Sequence, residues 1–179
     1  MAVALAAGFT PARISLADAD GIARLVLTPL SSTLIHGGAM HILVTMLGLL
    51  FCGRVVEAIV AGRGMIILYI VGAYAAAAAH YAVAPNDPLP LIGAGGAVGA
   101  VIGAYAILLG RNKLRVAGPS RGLWLNALWL GAAWIALQAM IAFAYGVPVL
   151  RIPVASYAGG FLAGLALAKP LLLLRWRGA

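Results

Sequence analysis

Five apolar runs of roughly 20 residues each, at about 39–60, 64–84, 91–110, 122–145 and 152–174, dominate this chain. A helix rising ~1.5 Å per residue needs about that length to cross a ~30 Å hydrocarbon core. Strands of a membrane barrel would be shorter and would alternate in polarity, so the pattern admits an all-α polytopic membrane protein and excludes a barrel. Composition agrees. Of 179 residues, 64% are hydrophobic and 9% charged, more apolar surface than a soluble domain of this size needs. The runs form one domain, 1–179, without internal repeats. They are separated by turn and charge signals: Gly62-Arg63-Gly64, Pro85-Asn86-Asp87-Pro88, the stretch 111–121, and Gly146-Val147-Pro148.

The formal charge of +8 is distributed as a membrane protein distributes it. The basic residues lie between the runs and form no basic face interleaved with aromatics, so nucleic acid is excluded as a partner. If the runs alternate, Arg54, Arg63, Arg111, Lys113, Arg115, Arg121, Arg175 and Arg177 share one side, and Lys169 snorkels toward it. On the other side Arg13, Arg24 and Arg151 are balanced by Asp18, Asp20 and Asp87. The positive-inside rule then places the N-terminus outside and the C-terminus in the cytoplasm.

The lone Cys52 excludes an intrachain disulfide framework. Residues 1–9 are apolar but too short for a span, and lack the positive start of a signal peptide. Residues 10–38 read as an irregular loop, half-buried at the membrane interface through 22–27 and Leu34-Ile35. Gly95, Gly99 and Gly103 make two overlapping G-x-x-x-G motifs, which let a neighbouring helix approach backbone to backbone.

Several stretches, in order, carry a family resemblance. Thr28-Pro29-Leu30-Ser31-Ser32-Thr33-Leu34-Ile35-His36-Gly37-Gly38-Ala39-Met40-His41 resembles the first loop and second helix of the rhomboid intramembrane serine proteases, where H-G-G-x-x-H-L-x-x-N-M is usual. Gly53, Val56, Glu57, Gly62 and Tyr69 match the family's second and third helices. Residues 93–105 resemble its fourth, and Gly159-Gly160-Phe161-Leu162-Ala163-Gly164 its sixth. Residues 8–13, Gly-Phe-Thr-Pro-Ala-Arg, are similar to the end of the first helix. The resemblance implies a rhomboid-like bundle in which the first of six helices is absent or truncated.

At the family's reacting positions the text departs. Gly95 stands at the nucleophilic serine and Tyr157 at the histidine base. Thr45 stands at the oxyanion asparagine, while His41 is retained. Glycine has no nucleophile, and a phenol of pKa near ~10 is a poor base at neutral pH. The resemblance therefore implies a pseudoprotease that holds other integral-membrane proteins or single transmembrane helices, as a client-binding module or a subunit of a larger complex, in a bacterial inner membrane. Family members admit a client sideways, between the second and fifth helices. Trp124, Trp129, Trp134, Met140 and Phe143 in the run 122–145 are the expected partner-binding residues. The alternative is an active intramembrane serine protease using displaced residues, with Ser156 the one displaced hydroxyl beside the site.

No cofactor or metal is expected. His36 and His41 are five apart and do not share a helical face as i, i+4 ligands would. They read as a hydrogen-bonded remnant of a reaction centre. His80 reads as interfacial, Glu57 as a structural tie at a helix end, and Gln138 as an amide that bonds across helices.

Overall fold

The computed structural model describes residues 2–14, 18–109 and 119–177. Arg111, Lys113 and Arg115, assigned above to one side, lie outside the described residues, as do Met1 and Gly110. The chain forms α1 (Ala2–Ala7), α2 (Ala19–Ser31), α3 (Ala39–Gly48), α4 (Arg54–Val83), α5 (Gly95–Leu109), α6 (Pro119–Ala144) and α7 (Val154–Arg177). A π-helical segment, Leu49–Gly53, joins α3 to α4 without a break.

Among the described residues, Ala39–Val83, Arg121–Ala144 and Val154–Arg175 are long and apolar enough to cross a membrane. The first of these turns back on itself. A straight helix would part Met46 from Ile70 by ~36 Å, yet both line one groove. The Met65 methyl also lies 3.2 Å from where a Cβ on Gly53 would sit. The reversal falls at Ala61, whose φ of 63° lies outside the helical region. Arg175 of α7 donates to the carbonyls of Ala58 and Ile59, the last helical acceptors before that break.

The α5 helix is the axis of the bundle. At 15 residues it is only ~22 Å long, short for a span. Every residue from Gly95 to Ala104 is buried, so this helix is apolar all round rather than on one stripe. Small residues let its neighbours close in. A Cβ on Gly160 of α7 would overlap the carbonyl oxygen of Gly96, and one on Gly164 the carbonyl of Ala100. Conversely, a Cβ on Gly103 would strike the Phe161 carbonyl, and one on Gly99 would stand 3.2 Å from the Tyr157 carbonyl. On the other flank, a Cβ on Gly72 of α4 would approach the Ala100 side chain to 2.5 Å. Valines, leucines and alanines of α4, α5 and α7 close the core below: Val56, Leu68, Val101, Ala168 and Leu171.

Two features differ from the expectation. The segment 10–38 is not an irregular loop. It contains α2, capped by the Asp18 carboxylate accepting from Gly21 N–H at 2.6 Å, and presents Ile22, Val26 and Leu27 outward. Tyr74 of α4 ties α2 to the bundle through the Val26 carbonyl. The run 91–110 also becomes helical only at Gly95. Before that, Leu91 pairs with Phe9 in an isolated antiparallel bridge, with N···O distances of 2.7 and 3.1 Å, and Gly93 N–H donates to the Ser32 carbonyl at 2.9 Å. Irregular backbone at membrane depth is tolerable because protein groups satisfy it in this way.

These contacts predict that Gly160→Ala, which must part α5 from α7, destabilises by roughly 3 kcal/mol or more. Gly62→Ala, whose Cβ meets only the Glu57 carboxylate at 3.6 Å, serves as the near-neutral control. Thermal unfolding in detergent distinguishes them; equal midpoints would refute the packing account.

Candidate functional site

The short α5 helix begins deep in the bundle, and its first residues meet α3, α6 and α7. Gly95 is buried at that start. A Cβ there would lie 2.8 Å from Cε1 of Tyr157 and 3.3 Å from the amide carbon of Gln138. The Tyr157 ring, 5% exposed, and the Gln138 side chain thus occupy the space facing Gly95. The Gly95 carbonyl accepts from the Trp134 indole Nε1 at 2.9 Å.

His41 and Thr45 project from α3 toward the same centre. Thr45 is fully buried, with Oγ1 2.9 Å from the His41 carbonyl, 3.0 Å from the Ile42 carbonyl and 3.1 Å from His36 Nε2. Its single proton is thereby held among its own helix and a neighbouring ring. His41 Nδ1 accepts from Gly37 N–H at 3.3 Å. Its ring lies against Gly93, where φ is 102° and a Cβ would overlap the imidazole, so glycine is required there on two counts.

His36 joins this group although the sequence spacing separates it from His41. It precedes α3 in extended chain, and the turn at Gly37-Gly38 brings the two rings to 5.1 Å, edge to face. Helical spacing therefore does not apply to the pair. Burial lowers the His36 pKa below its usual value, with the Leu34 backbone opposing in part. With Nε2 protonated, the ring donates to Thr45; in the other tautomer, Nε2 accepts from Thr45 and faces Ala94 N–H at 3.5 Å.

Above these residues lies a cavity of about 190 Å³, lined by His41, His80, Gln138, Tyr145, Arg151 and Tyr157 among others. At its rim the Tyr145 hydroxyl accepts from Met40 N–H at 3.2 Å, joining the start of α3 to the chain leaving α6. His80 lies 3.5 Å from Asp87 in the same wall.

Gly95, Tyr157, His41 and Thr45 are thus gathered at one place. The five expected partner residues are not. Trp124, Trp129, Met140 and Phe143 are exposed, but Trp134 is 6% exposed and turned inward to the Gly95 carbonyl, so it is removed from the partner-facing group. Gln138 also differs: neither amide atom has a hydrogen-bond partner among the described residues, so it does not bond across helices. Ser156 Oγ donates to the Pro153 carbonyl at 2.7 Å and is 1% exposed. Sequence reasoning missed the Trp134 and Tyr145 contacts. Their signal was the spacing of Trp134, Gln138, Ile141 and Tyr145, which marks a single helical stripe.

The comparisons agree with this architecture. A family model described as Rhomboid domain matches residues 23–174. No curated protein and no solved structure matches the chain.

Two outcomes follow. Gly95→Leu overpacks the Tyr157 and Gln138 contact and lowers stability by roughly 1–3 kcal/mol. Combined with Tyr157→Ala it costs less than the sum of the single changes, which a double-mutant cycle measures. Because the His36 pKa is depressed on folding, the unfolded chain binds the extra proton first. Stability is therefore complete above about pH 6.5 and declines below it. Unfolding midpoints at pH 7.5 and 5 should differ less in His36→Gln than in the parent; an equal difference would remove His36 as a cause.

Proposed function

This chain belongs to the rhomboid family, and from that premise we propose that it is a non-catalytic member, a pseudoprotease that holds other transmembrane helices. The observation that carries the reading is the environment of Gly95. Gly95 itself carries no hydroxyl or thiol to form an acyl-enzyme, and the Tyr157 ring and Gln138 amide fill the space toward which one would point. Tyr157 supplies no effective base at neutral pH. The Thr45 proton is engaged by its own helix, so an oxyanion would find no free donor there.

A helix-holding role needs none of these groups. It needs a bundle that accepts a neighbour, and α6 presents Trp129, Met140 and Phe143 outward. The membrane gives little hydrophobic drive between helices, so affinity comes from packing and a few hydrogen bonds. Integral-membrane clients or subunits are the partners this reading assigns. The charge distribution supports an outside N-terminus and a cytoplasmic C-terminus, and the proposed setting is a bacterial inner membrane. The alternative, proteolysis through displaced residues, would rest on Ser156. Its hydroxyl is committed to the Pro153 carbonyl.

Purified protein in detergent should neither cleave a generic rhomboid substrate nor react with a serine-directed fluorophosphonate. Gly95→Ser alone should stay inert, because its serine lacks a base. Gly95→Ser with Tyr157→His and Thr45→Asn should gain weak cleavage and fluorophosphonate labelling. Robust proteolysis by the unaltered chain would overturn the proposal.

A further inference from the structure

The groove between the two arms of Ala39–Val83 lies apart from the site around Gly95. Met46 and Leu50 line one wall and Ile66 and Ile70 the other, enclosing about 640 Å³. Gly53 forms part of the floor, where a Cβ would approach the Met65 methyl to 3.2 Å. Leu50 and Ile66 are 50% and 61% exposed, so the groove opens outward rather than into the bundle. From Met46 to Glu57 it follows ~16 Å of helix, about half of a ~30 Å hydrocarbon core. That is the depth of one leaflet. A lipid acyl chain matches it, whereas a crossing helix needs twice that length.

Toward the Ala61 reversal the lining changes from apolar to charged, with Arg54 and Glu57 one turn apart. Glu57, expected to tie a helix end, ties nothing. Neither its carboxylate nor the Arg54 guanidinium has a hydrogen bond or ion pair among the described residues. Both side chains are exposed and lie within two turns of the reversal, where long charged groups reach the polar boundary. One free cation and one free anion at the mouth of an acyl-chain groove are the complement of a zwitterionic headgroup. A phosphate diester accepts from guanidinium N–H groups, and a primary ammonium donates to a carboxylate. A quaternary ammonium has no N–H to donate, and a glycerol headgroup sets its phosphate beside Glu57 with no cation between them. We propose that this groove binds one phospholipid with an ethanolamine headgroup, its acyl chain between α3 and α4, its phosphate on Arg54 and its ammonium on Glu57.

The test titrates the full chain in detergent with dioleoyl phosphatidylethanolamine, phosphatidylcholine and phosphatidylglycerol, and counts bound lipid by native mass spectrometry. The first ethanolamine lipid should bind about tenfold tighter than either of the others. Arg54→Gln and Glu57→Gln should each bring it down to the level of the choline lipid. Ile66→Trp, which fills the open side of the groove, should weaken all three. Arg121→Gln, an exposed cation outside the groove, should change nothing. Both groove charges are exposed, and equal unfolding midpoints in lipid-free detergent confirm that their variants are folded. Equal binding of the three lipids by the parent, or no retained lipid, would overturn the site. A preference for the glycerol lipid would show that basic charge alone is read, and would overturn the headgroup class. An ethanolamine preference that survives both glutamine variants would remove Arg54 and Glu57 from it. Loss in Arg121→Gln as large as in Arg54→Gln would replace a built site with a diffuse basic face.

Discussion

The fold depends on backbone meeting backbone between α5 and α7. Leucine in lipid gains little by moving against leucine in protein, so association within a bilayer rests on close packing. The Gly160–Gly96 and Gly164–Ala100 contacts supply it, since no side chain of either glycine stands between the two main chains. The contacts recur at four-residue intervals along both helices, which fixes their register as well as their distance. Once that register is set, Tyr157, three residues before Gly160, can lie only beside the first turn of α5. The composition of the site is therefore a consequence of the packing seam, with Tyr157 delivered to Gly95 by glycines a turn away.

The same seam divides the bundle into firmly and lightly joined parts. Helices α4, α5 and α7 share a continuous buried core. The α6 helix is fastened to it at mid-length by Trp134, whose indole bonds the Gly95 carbonyl and whose ring packs near Gly48 and Gly99. Gly131 seats the Phe161 ring one turn away, a Cβ there falling 2.9 Å from it. At the outer end of α6 Tyr145 joins α3 through the exposed hydrogen bond to Met40, worth about 1 kcal/mol net, and through its ring, which lies against Gly38. Parting α5 from α7 breaks buried backbone packing along several turns; parting the outer ends of α3 and α6 breaks the exposed Tyr145–Met40 bond and the packing of the Tyr145 ring on Gly38.

How much of this was legible in the sequence varied with the kind of force involved. The apolar runs and the Gly95, Gly99 and Gly103 stripe are set by solvent and by size, which composition and spacing report directly. The gathering of Gly95, Tyr157, His41 and Thr45 was legible only through resemblance to a known family pattern. The α2 helix was not recognised because Pro29 and a short apolar stretch obscured it, although Asp18 ahead of Gly21 was a usable start signal. The Phe9–Leu91 bridge joins residues 82 positions apart, and no local pattern encodes it. Trp134 was misplaced because a tryptophan in a membrane helix suits lipid, interface or core alike. The indole N–H decides which, and its acceptor lies on another helix.

The two faces of α6 show why exposure by itself says little about function in a membrane protein. Trp129, Met140 and Phe143 are outward, and a lipid chain satisfies them as well as a protein would. Gln138, on the inner stripe, is packed toward Gly95 beside the Tyr157 ring, and its amide finds no hydrogen-bond partner among the described residues. An outward aromatic thus sets only a permissive surface, whereas the inward Gln138 side chain is fixed by its packing against the start of α5. If the family reading of an inert site holds, selection for chemistry no longer explains the polar groups that remain around Gly95. Most of them are explained structurally: Thr45 bonds its own helix and His36, Ser156 bonds Pro153, and His41 accepts from Gly37. Replacing Gln138 with leucine would remove the unpaired amide at nearly constant volume. The Gln138 side chain is nonetheless part of the site's packing, since with the Tyr157 ring it fills the space facing Gly95.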